Sequence, residues 1–225
     1  MSTITTEQQQ AITNLLATMT LPAWLGTTKN ACSIAAINLA LSGQLTDDIP
    51  ACMSPVIGRW IIGVQDAMPA DMRNSAEWKR LLPLAAGTGR DHEEARLQLV
   101  LQWMWEAALP IIQPMADEQG FGAEWRTMLR ERTPSAADAA ARADAAARAA
   151  AAYAYAAWPL VAANAARAAA DAASAARAAA RAANAARAAA NVARAADAAD
   201  EVWQQLDPCG LLQRLITHPT PEPQP

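Results

Sequence analysis

The sequence predicts an all-α protein: a compact helical head followed by long Ala-rich helices, packed as a hairpin or across an oligomer. Three observations carry this reading. Apolar residues recur at three- and four-residue spacing through the first 133 positions, the mark of amphipathic helices. No period-two stretch that would make a strand stands out. Between positions 135 and 200, 42 of 66 residues are Ala and none is Gly, and Ala is the strongest helix former.

In the head, Thr5 or Thr6 caps a first helix carrying Ile12, Leu15, Leu16 and Met19, which stops before Leu21-Pro22. Asn30 precedes a second helix over 31–41, and Ser42-Gly43 ends it. Ser54-Pro55 supplies a cap and a proline at the first helical position for a helix over 56–64. Ser75 caps a helix over 76–82, with Glu77 suited to its positive end. Asp91 caps the clearest helix, 92–109, whose apolar set (Leu97, Leu99, Val100, Leu101, Trp103, Met104, Leu109) exceeds one stripe and marks it as central. Pro110 and Pro114 end it, and residues 123–132 make one more helix.

Thr133-Pro134-Ser135 opens the Ala-rich arm, where Pro159 is the only breaker before Pro208, so helices are expected at 134–157 and 159–206. The second would be about 70 Å long if straight. Asp171, Ser174, Arg177, Arg181, Asn184, Arg187, Asn191, Arg194 and Asp197 form ten-residue units with steps of three, three and four. Against 3.6 residues per turn, that polar line slips by about 80° every ten residues and winds around the helix. The arm is then either a solvated spacer or a surface on which helices approach closely through Ala, the polar line tracking a crossing partner. A pentapeptide-repeat β-helix is excluded by the absence of a period of five, and an ice-binding Ala helix by the absence of Thr over 135–216. Trp203, Leu206, Leu211, Leu212, Leu215 and Ile216 make an apolar lock, suited to docking on the head or on a partner. The organisation expected is a head (1–133), an arm (134–206), a short docking helix (207–216) and a Pro-rich disordered tail (217–225).

Composition excludes several classes. Hydrophobic residues are 53% of the 225, but much of that is Ala, a poor membrane anchor, so no membrane span is expected. The N-terminal residues show no basic-then-apolar secretion leader. Three scattered cysteines, Cys32, Cys52 and Cys209, fit a reducing, cytoplasmic setting. A net charge of −4 argues against DNA or RNA as partner.

Catalytic and metal constellations are thin. His92 and His218 lie far apart, and the cysteines lack zinc-ligand spacing. Asp47 and Asp48 with Asp66 or Asp71 suit a solvated loop and a helix cap better than magnesium. Cys52, just before a helix start, is the one nucleophile to weigh, with His92 as its only base. The expectation is no enzyme, no metal and no cofactor. Two binding features rise above this. Gly87-Thr88-Gly89-Arg90-Asp91 frees the backbone before a helix start and adds a cation, an arrangement that offers amide N–H groups to an anion. Trp60 beside Arg59, and Trp78 beside Lys79 and Arg80, combine a stacking face with a cation, as a nucleotide site would.

Ser42-Gly-Gln-Leu-Thr-Asp-Asp-Ile-Pro50 through Cys52-Met-Ser-Pro-Val-Ile-Gly-Arg-Trp60 resembles bacterial and phage proteins that pair a Trp-bearing helical head with an Ala/Arg/Asp-rich tail. The tail is similar to that of putative immunity proteins. The resemblance implies a mobile-element or defence-related setting and carries over no site residues. The expected function is therefore non-catalytic: a homo-oligomer that sequesters a small anionic, nucleotide-like signal in phage–host conflict. Its expected ligand residues are Arg59, Trp60, Trp78, Arg80, Thr88 and Arg90. The alternatives are a protein–protein inhibitor or immunity protein acting through the arm, and a hydrolytic enzyme using Cys52 or carboxylates.

Overall fold

The computed structural model describes residues 4–133, 135, 136, 139, 140, 142 and 199–217. The described part is all-α apart from one two-residue hairpin. Helix α1 (Thr6–Thr18) starts at a capping box, with Thr5 Oγ1 accepting from Gln8 N and Gln8 Oε1 accepting from Thr5 N. It is followed by strands β1 (Gly26–Thr27) and β2 (Asn30–Ala31), antiparallel with Gly26 opposite Ala31. Gly26 has φ 83°, and a Cβ there would overlap the Asn30 carbonyl, so no other residue fits this turn.

That hairpin corrects the expectation of no strand and shortens the second helix at its start. Helix α2 (Ser33–Ser42) begins after Cys32, not Asn30, and ends on Gly43 in the left-handed conformation. Helix α3 (Pro55–Gln65) is capped by Ser54, whose Oγ accepts from Ile57 N at 3.2 Å. A single turn, α4 (Ala70–Arg73), leads into α5 (Ala76–Ala86), capped by Ser75. Helix α5 runs four residues past the expected stop, through Pro83. Ala85 and Ala86, both fully buried, hold its last turn in place.

The expected helix 92–109 is three pieces. Helix α6 (Glu93–Trp103) starts after His92, at φ 63° with no side-chain cap, so Asp91 does not cap it. A π-helical turn (Met104–Ala108) and a 3-10 turn (Leu109–Ile112) follow. Pro110 has no N–H, and its ring crowds the carbonyl four residues back, so the chain widens and Leu109 N–H reaches five residues back to Met104. Trp125 Nε1 takes up the Leu109 carbonyl at 3.1 Å. Helices α7 (Gln113–Glu118) and α8 (Gly122–Glu131) form a side hairpin around Phe121 and Trp125.

Thr133 Oγ1 accepts from Ala136 N at 3.2 Å, a cap at the mouth of the arm. The rest of the helices expected at 134–157 and 159–206 lies outside the described residues until α9 (Ala199–Leu206), as does the tail over 218–225. In helix α9, at the end of the expected arm, Val202, Trp203 and Leu206 are buried and Trp103 Nε1 donates to Leu206 O at 2.6 Å, so this part of the apolar lock docks on the head. Helix α10 (Pro208–Thr217) packs on α5 and α6. Helices α1, α2, α3, α6, α10 and α5 thus contact in turn and close a ring. Trp60, Trp78 and Trp103 meet inside it, with Trp60 6.2 Å from Trp78 and 6.0 Å from Trp103 between ring centres.

Among the described residues, no helix is long and apolar enough to cross a membrane.

Candidate functional site

Trp60 and Trp78 are both fully buried and cannot stack on a ligand. Successive residues on a helix point about 100° apart, so where the Trp faces inward its basic neighbour faces out. Arg59 and Arg80 are accordingly exposed while Trp60 and Trp78 fill the core. The cation–π contact present among the described residues joins partners distant in sequence, Arg132 over Trp105 at 5.9 Å.

The Gly87–Asp91 turn is also turned to another purpose. Arg96, 3% exposed, sends its guanidinium into it: Nη2 donates to Thr88 O at 3.3 Å and Nη1 to Asp91 O. Nε donates to Leu215 O at 3.1 Å, and Glu93 Oε1 pairs with Nη1 at 3.3 Å. The turn therefore presents carbonyls to an internal cation rather than amides to an external anion. Thr88 Oγ1 is engaged as well, accepting from Ser54 N and donating to Ala85 O. At the start of α3, Glu93 Oε2 already accepts from Val56 N. Arg90 is exposed beside this cluster.

Cys52 fares no better as a nucleophile. Burial pushes its thiol up, against the lowering a helix start was expected to give. Burial likewise raises Cys32, and Cys209 is pushed up to about 11, chiefly by burial and then by Glu77 and Asp207. Unfolded, Cys209 ionises near 9.0; folded, only near 11, so the folded state keeps its proton across that interval. The stabilisation is complete below about pH 9 and is lost as pH rises towards 11. The urea midpoint is expected to fall over this range, and less steeply in Cys209→Ala. A thiol reagent at neutral pH is expected to label the folded protein far more slowly than the unfolded chain.

One predicted residue, Arg80, lines a cleft of about 650 Å³ between α1 and α5. Helix α1 contributes Thr6, Gln9, Gln10, Thr13, Leu16 and Ala17; Asn74 and then Ala76, Lys79, Arg80, Pro83 and Leu84 of α5 face them. Each set repeats at three- and four-residue intervals, so the cleft is the seam between one stripe of each helix. No carboxylate lines it. Lys79 Nζ donates to Met19 O at 2.8 Å, which holds the ammonium at the end of α1, and Arg80 Nη2 donates to Gln213 Oε1 at 3.3 Å. Asn74 is spent on Leu21 and Ala70, and Thr13 on Gln9 O. Among the described hydrogen bonds, none uses the Gln9 side chain or the Thr6 hydroxyl.

Sequence reasoning paired Lys79 with Trp78 and passed over Thr6, Gln9, Gln10 and Thr13. Their spacing on α1 was legible, but a polar stripe at that interval equally describes a helix face in water. Trp24, 67% exposed, and Leu25, 40% exposed, were missed because no cation neighbours them. Among the described residues, no group of three or more His, Cys, Asp or Glu side chains is placed to hold a metal ion. Set against family models, curated proteins and solved structures, the chain matches none of them.

Proposed function

We propose that this protein is a non-catalytic binding protein that sequesters a small anionic, nucleotide-like ligand in the α1/α5 cleft. The observation that carries the reading is the cleft lining: two cations, Lys79 and Arg80, and no acid. Its volume falls in the usual range of ligand sites, roughly 300–1,000 Å³. The expected ligand set shrinks accordingly. Arg80 stays, Lys79 joins it, Trp60, Trp78 and Thr88 become structural, and Arg59 and Arg90 lie outside the cleft. The phage–host setting rests on the sequence resemblance alone. For self-association, only the Ala-rich composition of 135–200 is left as support, since the Trp203–Ile216 segment is engaged by the chain's own head.

The test is native mass spectrometry of the protein purified from cells with active nucleotide signalling, before and after denaturation. A discrete extra mass per chain is expected, and it should vanish in Arg80→Ala. Loss of one charge-assisted hydrogen bond should weaken binding about tenfold or more. Purification without added mass, together with no binding of phosphate-bearing probes, would sink the reading.

A protein–protein inhibitor is the second reading, and the exposed Trp24 and Leu25 favour it. They precede a hairpin fixed by Gly26 and by Cys32 N donating to Leu25 O at 3.1 Å, so both are presented without much freedom to lose. Trp24→Ser should abolish partner capture if this reading holds and leave bound small molecules unaffected.

A further inference from the structure

The cleft is polarised along its length. Lys79 Nζ reaches Met19 O at one end of α1, while Ile4, before its start, lies beside Gly87 after the end of α5. The two helices are therefore antiparallel. Lys79 and Arg80 sit toward the end where α1 finishes, and Thr6, Gln9 and Gln10 toward the end where it begins. The step along α5 from Lys79 to Leu84 is about 7 Å, with Pro83 and Leu84 as apolar floor. Pro83 lacks an N–H, so the Lys79 carbonyl on the same helix face has lost its usual donor four residues on. At the far end the Gln9 amide offers a donor and an acceptor side by side, uncommitted. Gln10 Nε2 is taken by Asn14 Oδ1, which leaves the Gln10 side-chain carbonyl oxygen as an acceptor.

We infer that the ligand is a nucleoside monophosphate, bound with its single phosphoryl group at Lys79 and Arg80 and its base across Pro83 and Leu84, read by Gln9. This rests on the anion-binding reading above and adds the number of phosphoryl groups, the orientation and the reader. One phosphate monoester carries close to two negative charges at neutral pH, matching the two cations. A planar amide reads a base edge because it can donate and accept in one plane.

The test is calorimetric titration of the full chain with adenosine, guanosine, cytidine and uridine 5′-monophosphates and with ribose 5-phosphate, which lacks the base. At least one monophosphate is expected to bind about tenfold or more tightly than ribose 5-phosphate. Gln9→Ala should close that gap, and Arg80→Ala should weaken both kinds of probe. If all four monophosphates bind no better than ribose 5-phosphate, or the gap survives Gln9→Ala, this inference fails while anion binding stands. If adenosine binds as well as its monophosphate, or no phosphate-bearing probe binds, the anion reading fails with it. Circular dichroism of each variant, matching the parent, shows that loss of binding is not loss of fold.

Discussion

Arg96→Met is expected to destabilise the head by about 3–5 kcal/mol, because three backbone carbonyls lose their donor at about 1–3 kcal/mol each. The guanidinium, 3% exposed, joins three elements: the Thr88–Asp91 turn, the last turn of α10 through Leu215 O, and Glu93. Met matches its length and apolar stem but offers no donor, so three carbonyls lose their partner together, while Glu93 keeps Val56 N. Single domains are stable by only about 5–15 kcal/mol, so much of that margin goes. Urea unfolding followed by Trp fluorescence measures it, since six of the eight Trp lie in residues 1–133. Glu93→Gln should cost much less, because a neutral amide oxygen still accepts from Val56 N. A loss under 1 kcal/mol in Arg96→Met would show that this cluster does not hold α10 to the head.

Trp60→Ala is expected to cost a similar amount, about 3–5 kcal/mol, by opening a cavity between Trp78 and Trp103 at the centre of the ring. The phenylalanine variants separate packing from hydrogen bonding. Trp60 Nε1 is buried without a partner, whereas Trp78 Nε1 donates to Ser33 Oγ at 3.1 Å. Trp60→Phe removes a buried polar group that earns nothing, while Trp78→Phe strands a fully buried hydroxyl. Trp78→Phe should therefore be the more destabilising by about 1 kcal/mol. The reverse order, read from the same urea curves, would show that the Trp60 indole N–H has a partner in solution.

Helix starts were legible where a side chain does the capping: Thr5, Ser54 and Ser75 each accept from the backbone N–H of the third residue of their helices. They were misread where tertiary contacts override. Asp91 looked like a cap, but Arg96 claims its backbone carbonyl and the helix begins one residue later than expected. The helix expected over 76–82 continues through Pro83, because burial of Ala85 and Ala86 outweighs one lost hydrogen bond. Pro110 had the opposite outcome and turned an α-helix into a π turn. The candidate site was less legible than the fold. Adjacency in sequence suggested that Arg59 works with Trp60, whereas adjacency on a helix turns them about 100° apart, one outward and one into the core. The cleft is lined by α1 and α5 together, a property of two helices at once that neither segment encodes alone. Arg80 lines the cleft, whereas the Trp78 paired with it in sequence fills the core.

The bonds from Arg96 to Leu215 and from Trp103 to Leu206 span 119 and 103 residues of chain. On a ribosome adding about 5–20 residues per second, the last wall of the ring emerges roughly 5 to 25 s after the residues it must cover. During that wait the inner faces of α5 and α6 are open to water and to any chaperone that recognises exposed aromatic surface. Lengthening the Ala-rich segment prolongs the exposure in proportion. The segment is thus a delay line in the birth of the protein, whatever else it does once the ring has shut.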